Sequence, residues 1–316
     1  MNLQSKSVQI VGPYFTNYSL AQVNRNLALA LSSQYRNLNV WLWCPKDRID
    51  YLPTKKEIEQ SELKNLISLE RKQSDIAIFN NTPRDTDGLY GLSEIPSKII
   101  IPYIAWEESI FPKKLVDEIN EYAHLMFVTS KFVYHIMKDS GIRVPIFNIS
   151  EGIDNDFINA KPEKFELKTK KNFKFFHAST GRARKGVDVL LKAYFKTFDK
   201  NDDCVLIIKT FPNPNNMVPN LLKELQNENA PEVEVIDRTD LTPGQMKFLT
   251  KNSDCCVYPS RAEGFGLPMA ETIYCEVPLI TTGYGGVLDF VDENSAFLLD
   301  FEVDLAYQSE SGKCWS

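Results

Sequence analysis

Short apolar runs alternate with amphipathic stretches along most of the chain. Residues 8–11, 40–44, 75–80, 98–103, 125–129 and 146–149 carry the short, mostly apolar pattern of strands buried in a sheet. Between them, residues 19–32, 113–122 and 131–139 place apolar side chains at the spacing of one helical face. Strand and helix patterns that alternate in this way predict a parallel sheet covered by helices. A second series of the same kind begins at Phe173, with strands expected over residues 173–176, 254–260 and 277–282. Residues 161–172 are rich in lysine and poor in apolar side chains, as a connection between domains would be. The pattern thus divides the chain into a first α/β domain over residues 1–160, a linker over 161–172 and a second α/β domain over 173–316. A chain of 316 residues is long enough for two such cores.

The most specific local chemistry lies in the second series, at Glu263-Gly-Phe-Gly-Leu-Pro-Met-Ala-Glu271. Gly264 and Gly266 let the backbone approach a ligand closely, and Pro268 suits the first turn of a helix, where its missing N–H costs nothing. A helix is therefore expected from Leu267, with its free N–H groups and positive dipole end facing whatever occupies the loop. Phosphate is the usual occupant of such a place. Glu271 would lie one turn inside, where a carboxylate can accept two hydrogen bonds from a vicinal diol such as a ribose. Glu263, before the loop, can hold hydroxyls of a second ring. The strand patterns on either side make this a strand, loop, helix, strand unit, and ligands of open parallel sheets collect at the carboxyl ends of the strands.

These residues are similar to the motif of the family 4 retaining glycosyltransferases of the GT-B fold, in which two glutamates flank a Gly-Phe-Gly-Leu-Pro segment. The resemblance extends upstream to Arg182-Ala-Arg-Lys-Gly-Val-Asp-Val-Leu-Leu191, to Tyr258-Pro-Ser260, and to Gly285 and Gly286. In the first half it is looser, through Ala105-Trp-Glu-Glu108, Val128-Thr-Ser130, Ser140-Gly141 and Gly152-Ile-Asp154. It implies a GT-B architecture: two Rossmann-like domains with parallel sheets facing across a cleft, the second binding the nucleotide sugar and the first the acceptor. It implies that Glu271 binds the ribose and Glu263 the donor sugar, with Gly264, Phe265, Gly266 and Leu267 lining the donor loop. Lys185, with Arg182 or Arg184, would neutralise the diphosphate leaving group, and retention at the anomeric carbon follows from the resemblance alone. Fixed cations suit that role on physical grounds too, since departure of a nucleoside diphosphate builds negative charge.

Some positions depart from the family pattern. Ser179 stands where the first cationic contact often lies, six residues before Lys185. The loop after the first strand, residues 12–17, offers only Gly12 as a glycine for phosphate contact. Where many members place a histidine near the reacting sugar, this chain has Trp106-Glu107-Glu108, with Glu107 as the polar candidate. Family members usually continue with helices after the region corresponding to Asp300, so the second domain is expected to be truncated here.

Charge and composition narrow the classes. The net charge of −6 argues against a nucleic-acid partner, though it leaves room for a local basic patch and hence for peripheral membrane association. No apolar run approaches the ~20 residues that span a bilayer, and the N-terminus lacks an apolar signal core, which together predict a cytoplasmic enzyme. Six cysteines without paired metal spacing and three scattered histidines predict no metal site and no cofactor beyond the donor itself. The Asp-x-Asp patterns at 85–87 and 154–156 are short enough to arise by chance. Gly264-x-Gly266 also resembles a dinucleotide fingerprint, but Met269 occupies the third glycine position. The expected activity is transfer of a sugar from a nucleoside diphosphate to a hydroxyl on a carbohydrate, a lipid-linked molecule or a protein. The competing class is a non-catalytic, transferase-like subunit that binds nucleotide sugar or scaffolds an active enzyme.

Overall fold

The structure, a computed structural model, describes residues 6–15, 19–44, 58–59, 61–80 and 91–304. The first Asp-x-Asp pattern lies outside them. The chain forms two compact units, Met1–Asp154 and Asn155–Ser316.

In the first unit six parallel strands, β1 (Ser7–Val11), β2 (Asn39–Trp43), β3 (Ser74–Phe79), β4 (Ser97–Ile104), β5 (Met126–Val128) and β6 (Ile146–Asn148), lie in the order β2-β1-β3-β4-β5-β6. Three helices, α1 (Ser19–Gln34), α2 (Lys113–Tyr122) and α3 (Lys131–Asp139), occupy the stretches whose apolar spacing predicts them. Helix α1 runs two residues past the expected end, where Ser32 and Ser33 turn their hydroxyls back to the carbonyls of Leu29 and Ala30. Helix α3 starts sharply because Ser130 caps it, its hydroxyl accepting from the Val133 N–H. Val11, Phe79, Leu115, Ile119, Met126 and Met137 are all buried in one core beneath these elements.

The second unit opens with α4 (Asn155–Asn159). The lysine-rich segment then runs against this unit, with Glu163 N donating to Gly244 O at 3.0 Å and the Lys168 and Thr169 amides donating to Glu234. Its sheet contains β7 (Phe173–Ala178), β8 (Cys204–Thr210), β9 (Glu232–Asp237), β10 (Cys255–Tyr258), β11 (Leu279–Thr282) and β12 (Phe297–Leu299). Between them run α5 (Val187–Thr197), α6 (Val218–Leu225), α7 (Pro243–Lys251) and α8 (Leu267–Tyr274). All strand pairs are parallel, in the order β9-β8-β7-β10-β11-β12. Prolines trim the expected strands: Pro259 ends β10, and β11 begins only after Pro278, which has no N–H to donate. Strand β7 runs on through His177 to Ala178, two residues past its expected end.

The order of the second sheet fixes where a ligand can sit. The chain builds outward from β7 through β8 to β9, then returns to place β10 on the other side of β7. The loops leaving β7 and β10 therefore diverge to opposite faces, and the crevice between their carboxyl ends is the switch point at which Rossmann-like sheets bind ligands. Among the described residues no helix is long and apolar enough to cross a membrane.

Candidate functional site

Residues 179–186 follow β7, residues 259–266 follow β10, and residues 283–286 follow β11. Backbone contacts knit these loops together. Arg261 N donates to Arg184 O at 2.8 Å, and Gly286 N donates to Glu263 O at 2.7 Å. Gly186 sits in the left-handed region with φ +66°, and a Cβ there would lie 1.8 Å from Pro259 O. Only glycine allows so close an approach. A side chain adds to the union: the Arg261 guanidinium forms a two-pronged pair with Asp188, at 2.8 and 2.9 Å, and also donates to Ala183 O.

This scaffold gathers charge around one buried carboxylate. Glu263 is 6% exposed, and Lys185 Nζ donates to its two oxygens at 2.7 and 2.9 Å. Arg184 Nη1 stands 3.5 Å from Glu263 Oε2 while donating to Ala262 O at 2.9 Å. Burial pushes the Glu263 carboxyl up, but the Lys185 and Arg184 charges outweigh it and hold the group below the usual glutamate range. Arg184 lies within the short 3₁₀ turn over Ala183–Lys185 and reaches Glu263, and Arg182, just before the turn, is exposed.

Helix α8 begins at Leu267, where the glycine and proline spacing predicts it, with Pro268 in its first turn and Gly266 before it at φ +103°. The Met269 and Ala270 amides both donate to Gly266 O at 3.0 Å. Phe265 is buried and packs against Phe290, with tilted rings whose centroids lie 5.0 Å apart, which anchors the loop. Glu271 lies in the next turn of α8, half-buried. Its charge is felt by Lys209, whose ammonium burial pushes down in pKa and Glu271 pulls back up.

His177 is fully buried beside this cluster, and its neighbours settle its chemistry. Nδ1 lies 2.7 Å from Val257 O and Nε2 lies 2.7 Å from Ser179 Oγ. A carbonyl can only accept, so Nδ1 carries the proton and Nε2 accepts from the Ser179 hydroxyl. Ser179 Oγ in turn accepts from Gly181 N at 3.1 Å. The ring thus bridges β10 to the start of the loop after β7 with both nitrogens engaged, which suits a brace rather than an acid or base. Burial is the main cause of a His177 pKa pushed down to about 4.

That shift has a consequence for acid stability. The unfolded histidine, near pH ~6.5, takes up its proton before the folded one does. The contribution is complete above the unfolded value and is lost as the pH falls through about 4. A shift of that size corresponds to a few kcal/mol, on the order of 3. Denaturant unfolding between pH 7 and 4 should show a drop in stability that shrinks in His177→Gln. An equal drop in the variant would remove the assignment.

Gly12 and Glu107 belong to the first unit. Gly12 follows β1, and a Cβ there would lie 2.0 Å from Asn80 O at the end of β3, so a close backbone approach at the switch point of the first sheet requires glycine. Glu107 is half-buried in the loop after β4, next to Trp106, which packs edge-on against Phe111 at 4.9 Å between centroids. Sequence reasoning missed Lys209, the Arg261–Asp188 pair and the bracing role of His177. The available signal was a lysine interrupting the apolar run 205–208 at a strand's carboxyl end.

Residues 158–307 match the family model described as glycosyl transferases group 1. That match takes in most of the second unit, and the chain shares the GT-B architecture of the solved structures it resembles. Among solved structures, the chain is similar to Anabaena HepE in complex with UDP-glucose, at 15% identity and a TM-score of 0.65, covering 93% of this chain and 85% of that one. It is also similar to sucrose-phosphate synthase from Thermosynechococcus elongatus, at 14% identity and a TM-score of 0.67, covering 93% and 86%. The S. aureus protein TarM, solved with UDP and α-GlcNAc-glycerol, is similar over 71% of this chain and 45% of its own, at 16% identity and a TM-score of 0.53. No curated protein matches the chain by sequence.

Proposed function

We propose that the protein transfers a sugar from a nucleoside diphosphate sugar to a hydroxyl acceptor, with retention at the anomeric carbon. The observation that carries this reading is the pairing of Lys185 and Arg184 around buried Glu263 at the switch point of the second sheet, beside the start of α8. As the bond to the donor sugar breaks, charge accumulates on the departing diphosphate. Lys185 and Arg184 are fixed in place before that happens, and fixed cations in a site shielded from water stabilise such charge without reorganising. They also fill the role a divalent ion plays in other transferases, so the reaction is proposed to run without one. Glu263 is an acceptor-only group and would orient the donor sugar through its hydroxyls. Glu271 would hold the ribose diol. Gly264, Phe265, Gly266 and Leu267 would form the wall over the phosphates, and Glu107 and Gly12 would serve from the first unit. The acceptor is proposed to be a carbohydrate, a lipid-linked molecule or a protein.

Calorimetric titration of UDP, GDP, ADP and their common sugar conjugates should find one base that binds, and Glu271→Ala should weaken it by about tenfold, the worth of a charge-assisted hydrogen-bond pair. Unchanged affinity in the variant would remove the ribose assignment. With that donor and a panel of acceptors, NMR of the product should show the anomeric configuration of the donor; an inverted product would overturn retention. Donor binding without transfer across the whole panel would instead favour a non-catalytic subunit.

A further inference from the structure

We propose that Arg261 and Asp188 form a positioning pair for the donor diphosphate: they clasp the turn that carries Arg184 and Lys185 to the loop that carries Glu263, and so hold the two cations where the diphosphate meets them. This rests on the donor-site reading above and extends it to two residues which that reading leaves without a role.

The contacts run in both directions between the loops. From the loop after β10, Arg261 N donates to Arg184 O at 2.8 Å, and Arg261 Nη1 donates to Ala183 O. From the loop after β7, Arg184 Nη1 donates to Ala262 O at 2.9 Å. Arg261 therefore grips two successive carbonyls of the turn Ala183–Lys185, one through its main chain and one through its side chain. Asp188, in the first turn of α5 just beyond, fixes the guanidinium in turn: its two oxygens accept from Nη1 and Nη2 at 2.8 and 2.9 Å. Two parallel bonds to one carboxylate set the plane of the guanidinium as well as its place.

The pairing also keeps Asp188 from acting on the cations itself. Only Gly186 and Val187 separate it from Lys185 in sequence, so a carboxylate without Arg261 would compete with Glu263 for the same charges. Burial pushes the Asp188 carboxyl up, but the hydrogen bond and charge of Arg261 outweigh it and hold the group below the usual aspartate range. The Arg261 side chain is 39% exposed, against 8% for that of Glu263. A pair so open to water contributes little to overall stability. Its effect lies in where it holds the turn, and a small displacement of a charged group costs affinity for the ligand that the group was placed to meet.

Calorimetric titration of the full chain with the mono- and diphosphates of uridine, guanosine and adenosine tests this, with thermal melts to confirm folding. For the base that binds, wild type should prefer the diphosphate, and that preference should fall about fivefold in Arg261→Met and by a comparable factor in Asp188→Asn. Both changes remove the two-pronged bond, so the double variant should lose no more than Arg261→Met alone. Asp188→Asn, nearly isosteric, keeps the test open should Arg261→Met unfold. A general loosening of the fold would weaken mono- and diphosphate alike and leave their ratio unchanged. An unchanged ratio in the folded variants would therefore overturn the proposal, as would losses that add in the double variant. Lys185→Ala separates this proposal from the reading beneath it. If that variant keeps the wild-type preference, or if wild type binds none of the nucleotides, the donor-site reading fails and the clasp falls with it. If Lys185→Ala loses the preference while Arg261→Met and Asp188→Asn keep it, the clasp alone fails.

Discussion

Lys185→Ala is expected to lower turnover by about 10²- to 10³-fold, the range seen when a fixed group that stabilises developing negative charge is removed. The loss should fall more on turnover than on nucleotide affinity, because the diphosphate carries more charge as the bond breaks than it does in the bound donor. Stability should suffer as well. Lys185 Nζ contacts both oxygens of Glu263, and once it is gone Arg184, at 3.5 Å, is the counter-ion left within 4 Å among the described residues. Removing one partner from a buried pair typically costs about 3 kcal/mol, because the other charge stays desolvated. Two measurements separate the effects: a denaturant melt gives the stability loss, and the ratio of turnover loss to affinity loss in the folded variant gives the catalytic part. Lys185→Arg should recover part of both. Wild-type turnover in Lys185→Ala would remove the leaving-group role.

Gly186→Ala is expected to be the most damaging change of a single methyl in the second unit. The residue has φ +66°, and the added carbon would stand 1.8 Å from Pro259 O and 2.7 Å from Pro259 C. Neither is the end of a flexible side chain, so the loop after β7 would have to move away from the loop after β10. The left-handed backbone alone costs about 1 kcal/mol for a residue with a side chain. Separating the loops adds the loss of the Arg261 N to Arg184 O bond and misplaces the cations, for a total of roughly 3 kcal/mol or more. Thermal melts should show a drop of several degrees, and nucleotide affinity should fall even where the protein is folded. A variant with wild-type melting and affinity would show that the loops are not rigidly joined.

Much of the fold and part of the site can be read from the sequence, and the boundary between what is legible and what is not has a physical basis. Strand and helix positions follow from local periodicity, and their errors are local too: Pro259 and Pro278 cut strands short, and serine hydroxyls extend α1. The start of α8 is legible because Gly266 and Pro268 act within one turn. The grouping of Lys185 with Glu263 spans 78 residues of sequence and is legible only through the resemblance of both segments to a family motif. The approach of Arg184 to Glu263 lies in a 3₁₀ turn whose formation no periodicity announces. His177 is legible only once strands are placed side by side, because its partner, Val257, belongs to another strand.

Main-chain atoms join the loops of the site directly: Arg184 O and Glu263 O accept backbone hydrogen bonds across them, and Gly186 and Gly286 pack close against Pro259 O and Gly264 O. The frame therefore resembles a chassis whose fittings can be exchanged. Substitution of a side chain that takes no part in those contacts should leave the loops, and the cations they carry, in place.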